Sequence, residues 1–145
     1  MSVAPFPEVS VFSMLEDAAR RHPDEPAIAW FGHHLSYRDL LREVERFSAV
    51  LAGLGVKKGD RVGLILPNCP QYVMAYYATA RLGAIIVGNN PLYTQRELSH
   101  QLKDAGCEVV VVLDSLYESL AAVRDGVGVR EVVATKVTED RKSVV

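Results

Sequence analysis

Apolar residues at helical spacing open the chain: Val11, Phe12, Met14, Leu15, Ala18 and Ala19 follow Ser10, and His22-Pro23 stops the run because a residue before proline is pushed out of the helical region. This predicts a helix over 11–21. The short apolar runs at 27–31 and 34–36, around Gly32-His33, suit a small antiparallel hairpin with glycine in its turn. Ser36 with Asp39 resembles a capping box with Asp in place of Glu, and Tyr37, Leu40, Leu41, Val44, Phe47, Leu51 and Leu54 then repeat on one face of a long helix that Gly53 and Gly55 end.

From Val62 the period changes. Val62-Gly63-Leu64-Ile65-Leu66 reads as a strand buried on both faces, Pro70 suits a first helical turn, and the helix from Tyr72 to Leu82 has almost no polar face, so it must lie between layers. Ala84-Ile85-Ile86-Val87 is the next strand; Thr94 and Glu97 form a capping box for a helix that Gly106 closes. Val109 to Leu113 is a central strand, 115–123 a shorter helix and 129–134 a further strand. The repeated alternation predicts an α/β fold, mainly a parallel sheet with right-handed crossovers and helices on both faces. The tail from Thr135 to Val145 carries no turn signal or closing helix and reads as a chain interrupted within a domain.

Composition narrows the function classes more than it names one. At 145 residues, 49% hydrophobic and 23% charged, the chain fits one soluble domain rather than a disordered segment. A net charge of -2, from 16 basic and 18 acidic residues, offers no field for nucleic acid or an anionic membrane. The first nine residues lack a secretory signal pattern and the apolar stretch 72–78 is too short to span a bilayer, which points to the cytoplasm. Cys69 and Cys107 have no CxxC spacing and read as free thiols, and His33, His34 and His100 have no partners at metal-ligand spacing.

The tempting clusters have plainer readings. Gly53-Leu-Gly-Val-Lys-Lys-Gly-Asp lacks the P-loop pattern and enters a strand rather than a helix, so it is a turn; Gly83 and Gly88 have no dinucleotide spacing. Cys69 sits before a helix, where a thiolate could be stabilised, yet no base is near it in sequence. Tyr72, Met74, Tyr76 and Tyr77 read as core rather than as a tunnel lining, and Arg38, Arg42 and Arg46, interleaved with Asp39, Glu43 and Glu45, as a solvated, ion-paired face.

The blocks Leu35-Ser36-Tyr37-Arg38-Asp39-Leu40, 55–62 (GVKKGDRV), Leu66-Pro67-Asn68-Cys69-Pro70 and Asn90-Pro91-Leu92-Tyr93-Thr94, in that order, resemble the N-terminal part of fatty-acid-CoA ligases of the adenylate-forming superfamily. The likeness covers roughly residues 9–134, and the last block looks more like fatty-acid than aryl-CoA ligases. It implies a two-step reaction in which a fatty acid attacks ATP, with Mg2+, to give an acyl-adenylate and pyrophosphate, and the thiol of CoA then displaces AMP. The family's Ser/Thr/Gly-rich loop ending in lysine, its adenine-holding motif and its small C-terminal domain have no counterpart in residues 1–145; by family order they lie beyond Val145. The chain is thus expected to be the incomplete N-terminal portion of the large domain, with no catalytic, cofactor-binding or metal residue of its own and no strong hold on ATP, Mg2+ or CoA. A fatty substrate is compatible with peripheral membrane contact. The competing expectation is a non-catalytic binding or assembly module, in which an open sheet edge and apolar surface favour pairing with a ligase or with a second copy.

Overall fold

The computed structural model describes residues 8–137 and divides them into an N-terminal helical layer and a parallel sheet. Helix α1 spans Val11–Arg21, with the Ser10 hydroxyl accepting from the Ser13 N–H at 3.1 Å. Strands β1 (Pro26–Trp30) and β2 (His33–Ser36) pair antiparallel, with Trp30 opposite His33. The two-residue turn is therefore Phe31-Gly32, one residue earlier than the sequence pattern placed it. Both turn residues have positive φ, 43° and 77°, the geometry that matches the twist of a tight hairpin.

Helix α2 (Tyr37–Gly53) starts at Ser36, whose hydroxyl accepts from the Asp39 N–H at 3.1 Å. Only that half of the expected capping box forms: Asp39, a methylene shorter than glutamate, pairs with Arg42 at 3.4 Å. Strand β3 (Arg61–Ile65), helix α3 (Pro70–Arg81), strand β4 (Ile85–Gly88), helix α4 (Gln95–Ala105) and strand β5 (Val109–Leu113) follow. The box at the start of α4 is complete, with the Thr94 N–H donating to Glu97 Oε2 at 2.8 Å and Glu97 N–H to Thr94 Oγ1 at 3.3 Å; Gly106 ends the helix in the left-handed region. A 3₁₀ turn over Asp114–Leu116 precedes α5 (Tyr117–Val127), which runs four residues past the expected end at Val123 and stops at Gly128 with φ 80°. Strand β6 is Glu131–Thr135, within two residues of the expected 129–134. The reading of an interrupted tail concerns mainly residues 138–145, which lie outside the described residues.

The four sheet strands are parallel in the order β4-β3-β5-β6. Alternation sends Val62, Leu64, Val109 and Val111 to one face and Ile65, Val110 and Val112 to the other, and all seven are at most 2% exposed. The first face carries α1, α2, α3 and packs against the hairpin; the second carries α4 and α5 through Leu98, Leu102 and Leu120. Helix α3 lies between α1 and α2 on one side and β3 and β4 on the other, as its lack of a polar face requires, and buries Met74, Ala75, Ala78 and Thr79. Each buried Leu or Val contributes about 1.5–3 kcal/mol. Gly63 has a packing reason: a Cβ there would lie 3.2 Å from Val110 and 3.3 Å from Leu102, so its absence lets α4 seat closely.

Candidate functional site

Strand β3 leaves its carboxyl end through α3 toward β4, while its neighbour β5 leaves through α5 toward β6. Adjacent strands whose connections diverge open a crevice beyond their carboxyl ends, the usual ligand position in open α/β sheets. Here Ile65 pairs with Val112, so the crevice is walled by the segment Leu66-Pro67-Asn68-Cys69-Pro70 and by Leu113-Asp114-Ser115.

The chemistry available there is sparse. Cys69 is 5% exposed, and burial pushes its thiol up while the backbone N–H groups of Tyr72 and Gln71 pull it back. A thiol held protonated is a poor nucleophile. The Asp114 carboxylate is committed to the Ser115 N–H at 2.8 Å. Helix α3 begins with no side-chain cap, and Pro70 at its first turn removes a donor. Beside it, a recess of about 220 Å³ is lined by Ile28, Trp30, Asn68, Cys69, Pro70, Tyr72 and Val73; the buried Trp30 Nε1 in its wall has no hydrogen-bond partner. Among the described residues no carboxylate or histidine lines that recess, so they give it shape but no acid–base pair.

The residues singled out in the sequence take structural positions. The Lys57 N–H donates to the Asp60 carboxylate at 2.8 Å, Asp60 N–H to the Lys57 carbonyl at 3.0 Å, and Gly59 N–H to the Gly83 carbonyl at 3.0 Å, which closes the glycine-lysine segment as a turn. Gly83 sits against Lys58, and a Cβ at Gly88 would meet the Tyr72 hydroxyl at 3.4 Å. Cys107 is 1% exposed and burial pushes its thiol up to about 11, against a smaller opposing pull from Arg61. Among the described residues no group of three or more His, Cys, Asp or Glu side chains could hold a metal ion, and no helix is long and apolar enough to cross a membrane.

Tyr72 and Tyr76 stack with centroids 6.5 Å apart, and Tyr76 meets Tyr77 edge-on at 5.4 Å, against the first-face core. Burial, then Tyr76 and Tyr37, raise the Tyr77 hydroxyl. The arginines of α2 are exposed and paired: Arg38 with Asp24 at 3.0 Å, Arg42 with Asp39 and Arg46 with Glu43 at 3.2 Å.

Sequence reasoning passed over Gln71. It is 8% exposed, its Nε2 donates to the Lys136 carbonyl at 2.9 Å, and its Oε1 has no partner. It stands at one end of an apolar groove of about 420 Å³ between α2 and the β5–β6 part of the sheet. The one local signal was a polar residue in the first turn of a helix that is otherwise nearly all apolar. Arg81 was likewise unremarked: it donates to Ser48 Oγ at 2.7 Å and lies over the Phe12 ring at 5.6 Å, tying the three first-face helices together.

The sequence model of the AMP-binding enzyme family matches residues 15–145. The long-chain-fatty-acid–CoA ligase of Bacillus subtilis (strain 168) is 39% identical over 135 residues, which are 93% of this chain and 24% of that protein. The enzyme of the same name from Escherichia coli O157:H7 is 41% identical over 128 residues, 88% of this chain and 23% of that protein. Among solved structures, a long-chain-fatty-acid-CoA ligase from Archaeoglobus fulgidus superposes with a TM-score of 0.84 at 28% identity, covering 97% of this chain and 29% of that one. The chain spans about a quarter of the length of the curated relatives it matches.

Proposed function

The chain belongs to the AMP-binding enzyme family, and from that premise we propose that it is the N-terminal part of an ATP-dependent ligase joining a long-chain fatty acid to CoA. The observation that carries this reading is 39% identity to such a ligase along 93% of the chain. The order of the sequence blocks and the alternating α/β architecture support it. In this proposal residues 1–145 are the incomplete N-terminal portion of the large domain, and the nucleotide-binding motifs and the C-terminal domain lie further along the parent polypeptide. The enzyme works in the cytoplasm and takes its poorly soluble substrate by peripheral membrane contact.

The residues present do not themselves fit ATP. Transferring a nucleotidyl group needs N–H donors and cations aimed at moving phosphate charge. Here the Lys57 and Gly59 N–H groups of the glycine-lysine turn are engaged by Asp60 and Gly83, and the first turn of α4 is closed by its own Thr94 and Glu97. The contribution of this segment is therefore scaffolding: a parallel sheet with helices on both faces, on whose carboxyl edge the rest of the protein completes the site. Alone, it should not make acyl-CoA.

The test is the size and activity of the native protein. An antibody against this segment should detect a species several times heavier than 16.0 kDa in a host lysate. That species should form acyl-CoA from a long-chain fatty acid only with both ATP and CoA. A native species of 16.0 kDa, or a longer one without ATP-dependent acyl-CoA formation, overturns the proposal. The open groove beside β6 favours one second reading, an assembly module, for that outcome.

A further inference from the structure

The outer surface of the α4–α5 face carries charge in a pattern that the net charge of -2 conceals. The sheet strands are parallel, so α4, between β4 and β5, and α5, between β5 and β6, both run back from the carboxyl edge and lie side by side in the same direction. Each turns leucine to the sheet, Leu98 and Leu102 on α4 and Leu120 on α5, and presents an outward ridge. On α4 that ridge is Arg96, His100 and Lys103; on α5 it is Glu118, Ala122 and Asp125, all six exposed. Both follow the i, i+4, i+7 spacing that keeps residues on one helix face, and both start at the second residue of their helix. A basic ridge and an acidic ridge thus stand at matching heights along parallel axes. Exposed apolar residues head both: Leu92 and Tyr93 before α4, at 88% and 37% exposure, and Tyr117 on α5, at 41%.

The ridges do not neutralise each other within the chain. Among the described residues Arg96, Lys103, Glu118 and Asp125 enter no ion pair, whereas arginines of α1 and α2 pair with nearby carboxylates. The remaining charges of the two helices point elsewhere: Glu97 is held in the Thr94 box, Arg124 donates to the Val129 carbonyl, and Asp104 is turned about 100° from Lys103. We propose that this face pairs with a second copy of the chain. A twofold rotation about an axis lying between the two helices and parallel to them keeps height and direction and exchanges left with right. It sets α4 of one copy on α5 of the other, so that Arg96 meets the partner's Glu118 and Lys103 meets the partner's Asp125, each contact occurring twice. Charge complementarity selects this occupant: a uniformly anionic surface is repelled by the α5 ridge and a uniformly cationic one by the α4 ridge, whereas the chain is complementary to itself. Two helices of 11 residues, each about 16 Å long, offer a small footprint, which puts the dimer at the weak end of specific interfaces. The α1–α3 face and its groove take no part, and the proposal is independent of the ligase reading.

Sedimentation equilibrium of the 145-residue chain tests this. At low ionic strength the chain should dimerise with a sub-millimolar dissociation constant that weakens as salt is added. Arg96→Glu with Lys103→Glu makes both ridges acidic, and Glu118→Lys with Asp125→Lys makes both basic; all four positions are exposed on helices, where folding tolerates the change. Either double variant alone should self-associate at least about a hundredfold more weakly than the unaltered chain. Mixed in equal amounts the two should form a heterodimer, and the fourfold variant, with its ridges exchanged, should pair with itself again. A chain that stays monomeric at about 1 mM overturns the proposal. Association that survives both reversals also overturns it, because the contact then lies on another surface. Double variants that remain apart when mixed overturn it too, since opposite ridges that faced each other would recover. None of these outcomes bears on acyl-CoA formation by the longer protein, so this proposal and the proposed function fail separately.

Discussion

The two faces of the parallel sheet are built from the same valine-rich strands and finished differently. On the α4–α5 face, Leu98, Leu102 and Leu120 are at most 3% exposed and close over Val110 and Val112, with a missing Cβ at Gly63 giving α4 its close seat. On the α1–α3 face three helices and a hairpin cover β4, β3 and part of β5, held by polar anchors at Arg81, Ser48 and Gln71, and the cover ends short of β6. The first arrangement is self-sufficient; the second has the form of an interior awaiting more protein. Stability should accordingly be concentrated on the sealed face, and the open face should contribute less.

The largest expected effect breaks the sealed face. Leu102 is fully buried, and its side chain lies 3.3 Å from where a Cβ on Gly63 would be. Leu102→Ala removes its methyl groups and leaves a cavity that rigid strands on one side cannot collapse into, so urea unfolding of the 145-residue chain should show a loss of about 2–5 kcal/mol.

A second effect of about 2–3 kcal/mol separates the faces by pH. Cys107, on the sealed face, has its thiol pushed from 9.0 up to about 11, foremost by burial. A raised folded value means that the unfolded chain ionises first. The neutral thiol's contribution is fully present below pH 9, falls as pH rises from about 9 to 11, and levels off above, a loss of about 2–3 kcal/mol. Cys69, on the other face, is raised by burial too, but the N–H groups of Tyr72 and Gln71 oppose it. Unfolding measured between pH 8 and 11 should therefore flatten more in Cys107→Ala than in Cys69→Ala.

Most of this architecture is local in origin and was legible in the chain. The Thr94–Glu97 box, the Gly106 stop and the strands around Leu64 and Val111 rest on residues within a few positions of one another. The errors came where neighbours a little further off decide. The hairpin turn shifted by one residue because Trp30 pairs with His33, and α5 continued past Gly126 to Gly128, its end held by Arg124 donating to the Val129 carbonyl at 3.0 Å. The candidate crevice needs the strand order, which long-range pairing sets, and the Gln71 side chain bonds to the Lys136 carbonyl, 65 residues away. No periodicity reports such a contact.

The smallest expected effect sharpens the comparison most. Val50 lines the open groove yet is 50% exposed, so in the 145-residue chain Val50→Ala removes little buried surface and replaces a β-branched residue of a helix by the best helix former. Its unfolding free energy should move by less than about 0.5 kcal/mol, and upward as readily as downward. In the parent, where the rest of the ligase would close the groove, the same two methylene-equivalents come out of a buried site and should cost about 1–2 kcal/mol. Leu102→Ala, by contrast, should cost the same in both contexts, because everything that buries Leu102 is already present here. A Val50→Ala cost that stays below about 0.5 kcal/mol in the parent would mean the two faces differ in packing alone, with nothing further seated on the open one.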